Sequence, residues 1–250
     1  MAKAMILAAG LGTRLKPITL TKPKALAEVD GITLLEYSIK HLKRYGFDDI
    51  IINVHHFADQ VIEFLKKKND FGVHLTISDE REQLLNTGGG LKKASGFFND
   101  DKPFLMYNVD VLSDINLNNL YHTHIESNAI VTLAVRGRKT SRYFLFDQAG
   151  CLCGWKNMST NQIIITSRSV SKLQPFAFSG IQVINPGLLE MISLNEGPFS
   201  ITEVYIKLCA NYKIMAYNHD NSFWMDMGTA ESIAIAEELL SKCNFLLLRD

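Results

Sequence analysis

The sequence lacks an excess of charge of either sign and lacks any long apolar run. Its 26 lysine and arginine residues equal its 26 aspartate and glutamate residues, so the formal net charge is zero. A balanced chain has no overall field to hold a polyanion, which argues against nucleic acid as a partner. No segment approaches the roughly 20 apolar residues that span a bilayer. We therefore expect a cytoplasmic protein that does not enter a membrane.

Cysteine is also scarce, and its spacing matches no metal site. The four cysteines are Cys151, Cys153, Cys209 and Cys243. The close pair has no histidine nearby, so the pattern predicts reduced thiols rather than zinc ligands. The short apolar run near the N-terminus leads directly into charged sequence, which predicts a first strand rather than a signal peptide.

Runs rich in valine, isoleucine, leucine and phenylalanine alternate with helical patterns along the chain. This alternation is typical of an α/β fold with a mixed, mostly parallel central sheet. A capping box formed by Thr33 and Glu36 predicts the start of a helix that stops at Gly46. We expect one domain over residues 1–250, with two halves at 1–110 and 111–250 and a closing helix at the end of the second.

Other elements are predicted from the same patterns. Strands are expected at 49–54, 74–78, 102–107 and 176–185, with shorter strands between 142 and 155. Helices are expected around 58–65, from 91 to 97, after Ser200, and at 229–241. The polar stretch 157–172 has few core residues and predicts a loop or lid.

The loop after the first strand carries the strongest chemical signal. It does not match the dinucleotide fingerprint, because Pro17 ends any helix at once, and the chain contains no Walker motif G-x-x-x-x-G-K-[ST]. What remains is a glycine-rich turn followed by cations on an extended backbone, with Pro17 and Pro23 holding its shape. The cations are Arg14, Lys16, Lys22 and Lys24. Backbone donors with cations suit a triphosphate; the alternative is an ordinary turn with solvated charges.

The stretch LAAGLGTRLKPITLTKPKAL resembles the signature of the sugar-phosphate nucleotidylyltransferases. The resemblance continues at 108–110 (NVD), 178–181 (FSGI) and 224–229 (WMDMGT), and so covers nearly the whole chain. The short length and the run at 86–90 are most similar to N-acetylmuramate 1-phosphate uridylyltransferases of cell-wall recycling and to short mannose- or heptose-phosphate enzymes.

The resemblance implies a Rossmann-like three-layer fold of the GT-A-like type, with residues 1–110 as the nucleotide-binding half and residues 111–250 as the sugar-binding half and closing helix. It also implies a reaction in which a sugar 1-phosphate attacks the α-phosphorus of a nucleoside triphosphate with Mg²⁺, giving an NDP-sugar and pyrophosphate. The implied catalytic residues are Arg14 and Lys24, and the implied metal ligands are Asp110 and Asp226. The implied nucleotide-binding residues are Leu7, Ala8, Ala9, Gly10, Gly12, Thr13, Asn86, Thr87 and Gly88. The implied sugar-binding residues are Asn108, Lys156 and Gly180.

Several points depart from the family pattern. Val109 replaces the usual glycine before the metal aspartate, and Trp155 stands where many relatives have a glutamate before Lys156. Gly88 and the two glycines after it either let a base lie flat or form a turn entering the helix at 91. A carboxylate on the sugar would be bound most favourably by a cationic side chain, for which Lys156, Arg168 and Lys172 are candidates.

The substrates stay open between alternatives. UTP with an N-acetylmuramate-like sugar 1-phosphate is our first prediction, and GTP with mannose or heptose 1-phosphate is the second. A phosphocholine cytidylyltransferase is a third, because Tyr107, Trp155 and Trp224 could surround a quaternary ammonium. An inactive nucleotide-sugar-binding regulator is a fourth, but both cations and both aspartates are present, which favours an enzyme. A homo-oligomer is compatible with the sequence.

Overall fold

The computed structural model describes residues 2–166 and 172–242. Its strands are β1 (Lys3–Leu7), β2 (Glu28–Val29), β3 (Ile32–Thr33), β4 (Asp49–Val54), β5 (His74–Asp79), β6 (Phe104–Asn108), β7 (Val111–Ser113), β8 (Val131–Arg136), β9 (Arg142–Phe146), β10 (Leu152–Asn157), β11 (Gln162–Ile165), β12 (Gln174–Ile184), β13 (Ile214–Asn218) and β14 (Trp224–Asp226). Its helices are α1 (Leu34–Arg44), α2 (Ala58–Lys67), α3 (Asn86–Lys93), α4 (Leu117–Ser127), α5 (Gly187–Ile192), α6 (Ile201–Leu208) and α7 (Ala230–Lys242).

A ten-stranded sheet organises the described residues, with the order β11-β10-β9-β12-β6-β1-β4-β5; in addition, β8 pairs with β12, and β13 pairs with β8. Seven of these strands, from β5 through β12 to β13, form the central part, where four of the six pairings are parallel. The strand order and the βαβαβ start confirm the predicted mixed, mostly parallel α/β fold. Strand β12 pairs with both β6 and β9, so both halves of the chain share one sheet.

Side chains of successive strand residues enter opposite cores, as the pleat requires. On β1, Ala4 and Ile6 pack into one apolar cluster together with α1, α2, α4 and α7. Met5, between them, packs into the other cluster together with α3, α5 and α6. The sheet therefore lies between two helical layers, which is the three-layer arrangement that was predicted.

The predicted capping box starts α1. The hydroxyl of Thr33 accepts a hydrogen bond from the Glu36 backbone N–H at 3.1 Å. The helix ends at Arg44, and Gly46 follows with a φ of 78°, in the left-handed region that favours glycine at this position. Ser200 caps α6 as predicted, accepting from Thr202 N at 3.2 Å. The two helix caps predicted from short sequence patterns are thus confirmed.

The loop after β1 differs from the prediction in its backbone. Instead of an extended chain it forms three 3-10 turns, at Thr13–Leu15, Ile18–Leu20 and Lys24–Leu26. Pro17 and Pro23 stand immediately before the second and third turns. Their fixed φ angles suit the start of a turn, and their missing N–H groups cost nothing there.

Two further expectations were wrong. The polar stretch 157–172 is not only a loop, because β11 lies within it and pairs antiparallel with β10. Its isoleucines favour a strand, and their exposure reflects its place at the sheet edge (Ile163 is 52% exposed). The helix expected at 91–97 instead begins at Asn86 and takes in all three glycines. Residues 167–171 and 243–250, which include Arg168 and Cys243, lie outside the described residues.

The remaining three cysteines are buried. Within residues 2–166 and 172–242, no helix combines the length and the apolar character needed to cross a membrane.

His41 is a buried polar residue that predicts acid sensitivity of the fold. Its Nδ1 lies 3.1 Å from the Tyr107 hydroxyl and its Nε2 lies 3.0 Å from the Ile115 carbonyl oxygen. Burial lowers the pKa of His41 from 6.5 to about 4. Between these two values the unfolded chain binds a proton that the folded chain does not, so stability is lost as the pH falls through this window.

We therefore expect the free energy of unfolding to decrease below about pH 6.5, and His41→Gln to remove part of that slope, up to about 1.4 kcal/mol per pH unit. Urea denaturation at a series of pH values between 7 and 4.5, roughly the titration window, measures it. His122→Gln, at an exposed position, is the matched control and keeps the wild-type slope. An unchanged slope in His41→Gln would contradict this account.

Candidate active site

One buried amide joins the end of β1 to the start of α3. Asn53 on β4 is 3% exposed, and its Oδ1 accepts from the backbone N–H groups of Ala8 at 2.7 Å and Ala9 at 3.3 Å. Its Nδ2 donates to Glu80 Oε1 at 2.7 Å, and Glu80 Oε2 accepts from Leu85 N at 3.2 Å. The loop after β1 and the segment before α3 are therefore fixed relative to each other.

Glycine in α3 makes room for this pair. A Cβ atom on Gly90 would lie 2.7 Å from Glu80 Oε1 and 2.9 Å from Asn53 Nδ2. Burial raises the pKa of the Glu80 carboxyl, while the hydrogen bonds from Asn53 and Leu85 oppose the shift. The helix approaches the carboxylate closely because its surface carries no side chain here.

The loop after β1 folds back on itself around Gly12. The φ of Gly12 is 62°, and a Cβ there would lie 2.8 Å from Thr19 Cγ2 and 2.9 Å from Lys24 Cβ. The Thr19 hydroxyl donates to the Gly12 carbonyl oxygen at 2.9 Å, and Leu15 is fully buried beneath the loop. Packing of Thr19 and Lys24 against Gly12 sets where the Lys24 side chain starts.

Lys24 and Asp110 form the inner charge pair of the site. Asp110 follows the carboxyl end of β6, and Lys24 is 9% exposed. The Lys24 ammonium donates to Asp110 Oδ2. Two predicted site residues that are 86 positions apart therefore meet directly.

Arg14 and Asp226 form an outer pair. Arg14 Nη2 lies 3.9 Å from Asp226 Oδ1, and both side chains are largely exposed to solvent. Strand β14 pairs with β7, placing Asp226 opposite Val111, and Met227 N donates to the Asp110 carbonyl oxygen at 2.8 Å. This short ladder brings the two predicted metal aspartates to neighbouring positions.

A cavity of about 410 Å³ extends from the loop after β1 to the inner charge pair. Its walls contain eight of the predicted residues: Leu7, Ala9, Gly10, Lys24, Asn86, Thr87, Asn108 and Asp110. The predicted residues outside its walls are Ala8, Gly12, Thr13, Arg14, Gly88, Lys156, Gly180 and Asp226. Gly88 packs against the Phe199 ring, so its role as a base-binding residue stays a prediction.

A second cavity of about 630 Å³ lies under α6 and shares the wall residue Ser200 with the first. Alternate side chains of β10, Trp155 and Asn157, face it. Lys156 lies between them and is in the wall of neither cavity. Lys172, the other described cation proposed for a sugar carboxylate, is exposed and is also absent from both walls. The wall of the second cavity instead contains Arg138 and Arg142, which were not predicted as site residues from the sequence.

The carboxylates fit a lightly held divalent cation. No cluster of three or more histidine, cysteine, aspartate or glutamate side chains suited to a metal exists in the described part of the chain. Asp110 and Asp226 carry hard oxygen donors, and the β7–β14 ladder and the Met227 hydrogen bond bring their backbones to neighbouring positions. Mg²⁺ is commonly bound by one or two carboxylates and completed by phosphates and water, so this donor set suits it.

Comparison with known proteins agrees with this geometry. Residues 3–151 match the family model described as nucleotidyl transferase. The chain belongs to this family. The predicted resemblance to sugar-phosphate nucleotidylyltransferases is confirmed by curated relatives. One, an N-acetylmuramate alpha-1-phosphate uridylyltransferase of Caulobacter vibrioides, is 28% identical over 96% of this chain and 97% of its own length.

A mannose-1-phosphate guanyltransferase of Yarrowia lipolytica is 31% identical over 90% of this nucleotidyl transferase. The chain spans only 60% of that relative's length. Among solved structures, HddC from Yersinia pseudotuberculosis complexed with GMP-PN has a TM-score of 0.74 at 20% identity, covering 96% of this chain and all of that one. The inositol-1-phosphate CTP transferase from T. maritima has a TM-score of 0.73 at 17% identity, covering 97% and 96%. These structural likenesses confirm the fold class.

Several residues of the candidate site were not predicted from the sequence. Asn53 carried a usable signal, since a polar residue inside the buried run IIINV needs a hydrogen-bond partner. Glu80 directly follows β5 at its carboxyl end, where parallel sheets build their sites. No local sequence pattern indicated Arg138, because its environment is made by residues distant in sequence.

The Asn53 hydrogen bonds predict a large effect on stability. Asn53→Ala leaves two backbone N–H groups and a buried carboxylate oxygen without partners, so we expect the free energy of unfolding to fall by about 2–4 kcal/mol. Urea denaturation measures the change. Ser78→Ala is the matched control, since Ser78 is buried directly opposite Asn53 on β5, and we expect it to cost less than about 1 kcal/mol. An equal decrease in the free energy of unfolding in the two variants would contradict the role given to the Asn53 hydrogen bonds.

Proposed function

We propose that this chain condenses a nucleoside triphosphate with a sugar 1-phosphate to give an NDP-sugar and pyrophosphate. A sugar phosphate oxygen attacks the α-phosphorus, the bond from that phosphorus to the bridging oxygen breaks, and pyrophosphate leaves with the electron pair. The observation that carries this proposal is the cavity that joins the glycine loop, Asn86 and Thr87 to the Lys24–Asp110 pair.

Residues of the chain supply positioning and charge rather than a covalent nucleophile. Lys24, in the cavity wall, neutralises charge on the α-phosphate and the attacking phosphate. Arg14, outside the wall and exposed, faces the leaving pyrophosphate. Fixed cations aimed at developing charge lower the barrier because they need no reorganisation during the reaction.

Asp110 and Asp226 would hold a Mg²⁺ ion, which neutralises phosphate charge when bound. Asp110 also holds Lys24 in place through their direct contact. The base lies near Asn86 and Thr87, and the sugar extends toward the second cavity past Ser200.

For the substrates, we propose UTP and an N-acetylmuramate-like sugar 1-phosphate. The support is the match to the Caulobacter vibrioides uridylyltransferase, which extends over 96% of this chain. GTP with mannose 1-phosphate is the second candidate, because the Yarrowia lipolytica guanyltransferase has the higher identity of 31%.

The other two alternatives have less support. Tyr107 is 1% exposed and its hydroxyl contacts His41, while Arg138 already lies over the Trp224 ring at 4.5 Å. These aromatic residues therefore do not form a cage for a quaternary ammonium. An inactive regulator is disfavoured because both charge pairs are assembled.

A substrate panel tests the proposed function. Pyrophosphate release is measured with UTP, GTP, CTP, dTTP and ATP against N-acetylmuramate, N-acetylglucosamine, mannose and glucose 1-phosphates, with Mg²⁺ and with excess chelator. We expect the highest kcat/KM for UTP with N-acetylmuramate 1-phosphate and no activity in chelator. A tenfold or greater preference for GTP with mannose 1-phosphate, about 1.4 kcal/mol in the transition state, overturns the uridylyl assignment. Full activity in chelator overturns the metal assignment.

Removal of the inner cation tests the catalytic assignment. We expect Lys24→Ala to lower kcat by about a hundredfold or more, because one preorganised charge donor is lost. Lys22→Ala, in the same loop but exposed and paired with Glu28 at 3.2 Å, is the control and should retain kcat within about threefold. Circular dichroism establishes that both variants are folded. Near-normal turnover in Lys24→Ala would contradict the assignment of Lys24 as a catalytic residue.

A further inference from the structure

Arg138 is a half-buried cation whose donors the protein uses only in part. Its guanidinium carbon lies 4.5 Å from the Trp224 ring centroid, and Nη2 donates to the Phe178 carbonyl oxygen at 3.2 Å. Its Nε is buried and has no hydrogen-bond partner among the described residues. An unpaired buried donor costs about 1–3 kcal/mol, so the fold holds this guanidinium in place at an energetic cost.

No carboxylate of the described residues lies within 4.0 Å of this guanidinium. Burial lowers the pKa of Arg138, Arg136 nearby acts in the same direction, and Asp226 and Tyr143 oppose the shift. The guanidinium still remains charged under all ordinary conditions. The charge is therefore held in a partly desolvated place without a direct counter-ion.

The second cavity places a further cation close to Arg138. Both Arg138 and Arg142 are in its wall, and Glu203 is the carboxylate residue among the wall residues described. Two arginines against one glutamate leave the cavity positive. Its volume of about 630 Å³ is in the range of cavities that hold small ligands, and Trp155 offers a flat apolar surface suited to a sugar ring.

Arg138 also stands close to the reaction centre. Trp224, beneath its guanidinium, precedes Asp226 by two residues on β14, and Trp224 Nε1 donates to the Ser179 carbonyl oxygen at 2.8 Å. The contact with the Trp224 ring and the hydrogen bond to the Phe178 carbonyl oxygen together hold the guanidinium in position. A fixed planar fork is the geometry that binds carboxylate or phosphate oxygens in pairs.

We propose that Arg138 and Arg142 form an anion subsite that binds a carboxylate or phosphate substituent carried by the acceptor sugar in addition to its 1-phosphate. This inference rests on the proposed function. It makes acidic sugar 1-phosphates the preferred acceptor class, and it assigns their selection to the segment after β8 rather than to Lys156 or Lys172.

Matched acceptors test the subsite. With UTP and Mg²⁺, kcat/KM is compared for N-acetylmuramate 1-phosphate and N-acetylglucosamine 1-phosphate, which differ by a lactyl carboxylate, and for glucose 1,6-bisphosphate and glucose 1-phosphate, which differ by a phosphate. We expect at least a tenfold preference for an acidic member. The pair that shows it distinguishes a carboxylate from a phosphate ligand.

Arg138→Gln and Arg142→Gln should each reduce that preference about tenfold or more, with the loss mainly in KM for the acidic acceptor. Arg138→Lys should restore part of it, and Lys139→Gln, at the exposed neighbouring position, should leave the preference unchanged. Arg138→Gln could disturb the fold, because Arg138 donates a hydrogen bond to the Phe178 carbonyl oxygen. Arg142 is exposed, so Arg142→Gln tests the subsite without that complication. Equal losses for acidic and neutral acceptors would assign Arg138 to the reacting phosphate and overturn the proposal, as would an absent preference in the wild type.

A failure of the proposed function gives a different result. If no pair in the panel releases pyrophosphate, calorimetric titration with glucuronate 1-phosphate and glucose 1-phosphate alone still tests the subsite. Tighter binding of the glucuronate that is lost in Arg138→Gln supports it. Equal binding of both compounds, or binding of neither, overturns it.

Discussion

The amide of Asn53 is the constraint on which the rest of the site depends. It satisfies two backbone N–H groups at the end of β1 and the carboxylate of Glu80, which in turn satisfies Leu85 N. Three segments that are separate in sequence, residues 8–9, 53 and 80–85, thereby share one set of buried hydrogen bonds. Because each of these groups is costly to leave unpaired, the backbone of the loop and the start of α3 have little freedom to separate.

The charged centre depends on topology in a comparable way. Asp110 follows the end of β6, and Asp226 reaches it through the short β7–β14 ladder and the Met227 backbone bond. Each aspartate receives a cation from the same loop, Lys24 on the buried side and Arg14 on the exposed side. The loop between β1 and β2, residues 8–27, therefore provides both cations, while the turn after β6 and the strand β14 provide the two anions.

The parts that were predictable from sequence are those set by local or strongly patterned signals. The Thr33 cap and the alternating strands and helices follow from such signals, and Lys24 and Asp110 were named as site residues from the family motif, but their direct contact was not predicted. The 3-10 turns after Gly12 and the helical state of Gly88 do not, because packing against Thr19, Lys24 and Phe199 overrides local preference. Arg138 could not be predicted at all, since Trp224, 86 residues away, makes its environment.

The pairing of both loop cations with aspartates also bears on how ligands arrive. The two ion pairs together carry no net charge, and the whole chain is electrically balanced with 26 residues of each sign. Long-range attraction of an anion requires a net local potential, which such a centre generates only weakly. Encounter with a polyphosphate therefore depends on diffusion and short-range contacts, and the association rate is expected to vary little with ionic strength.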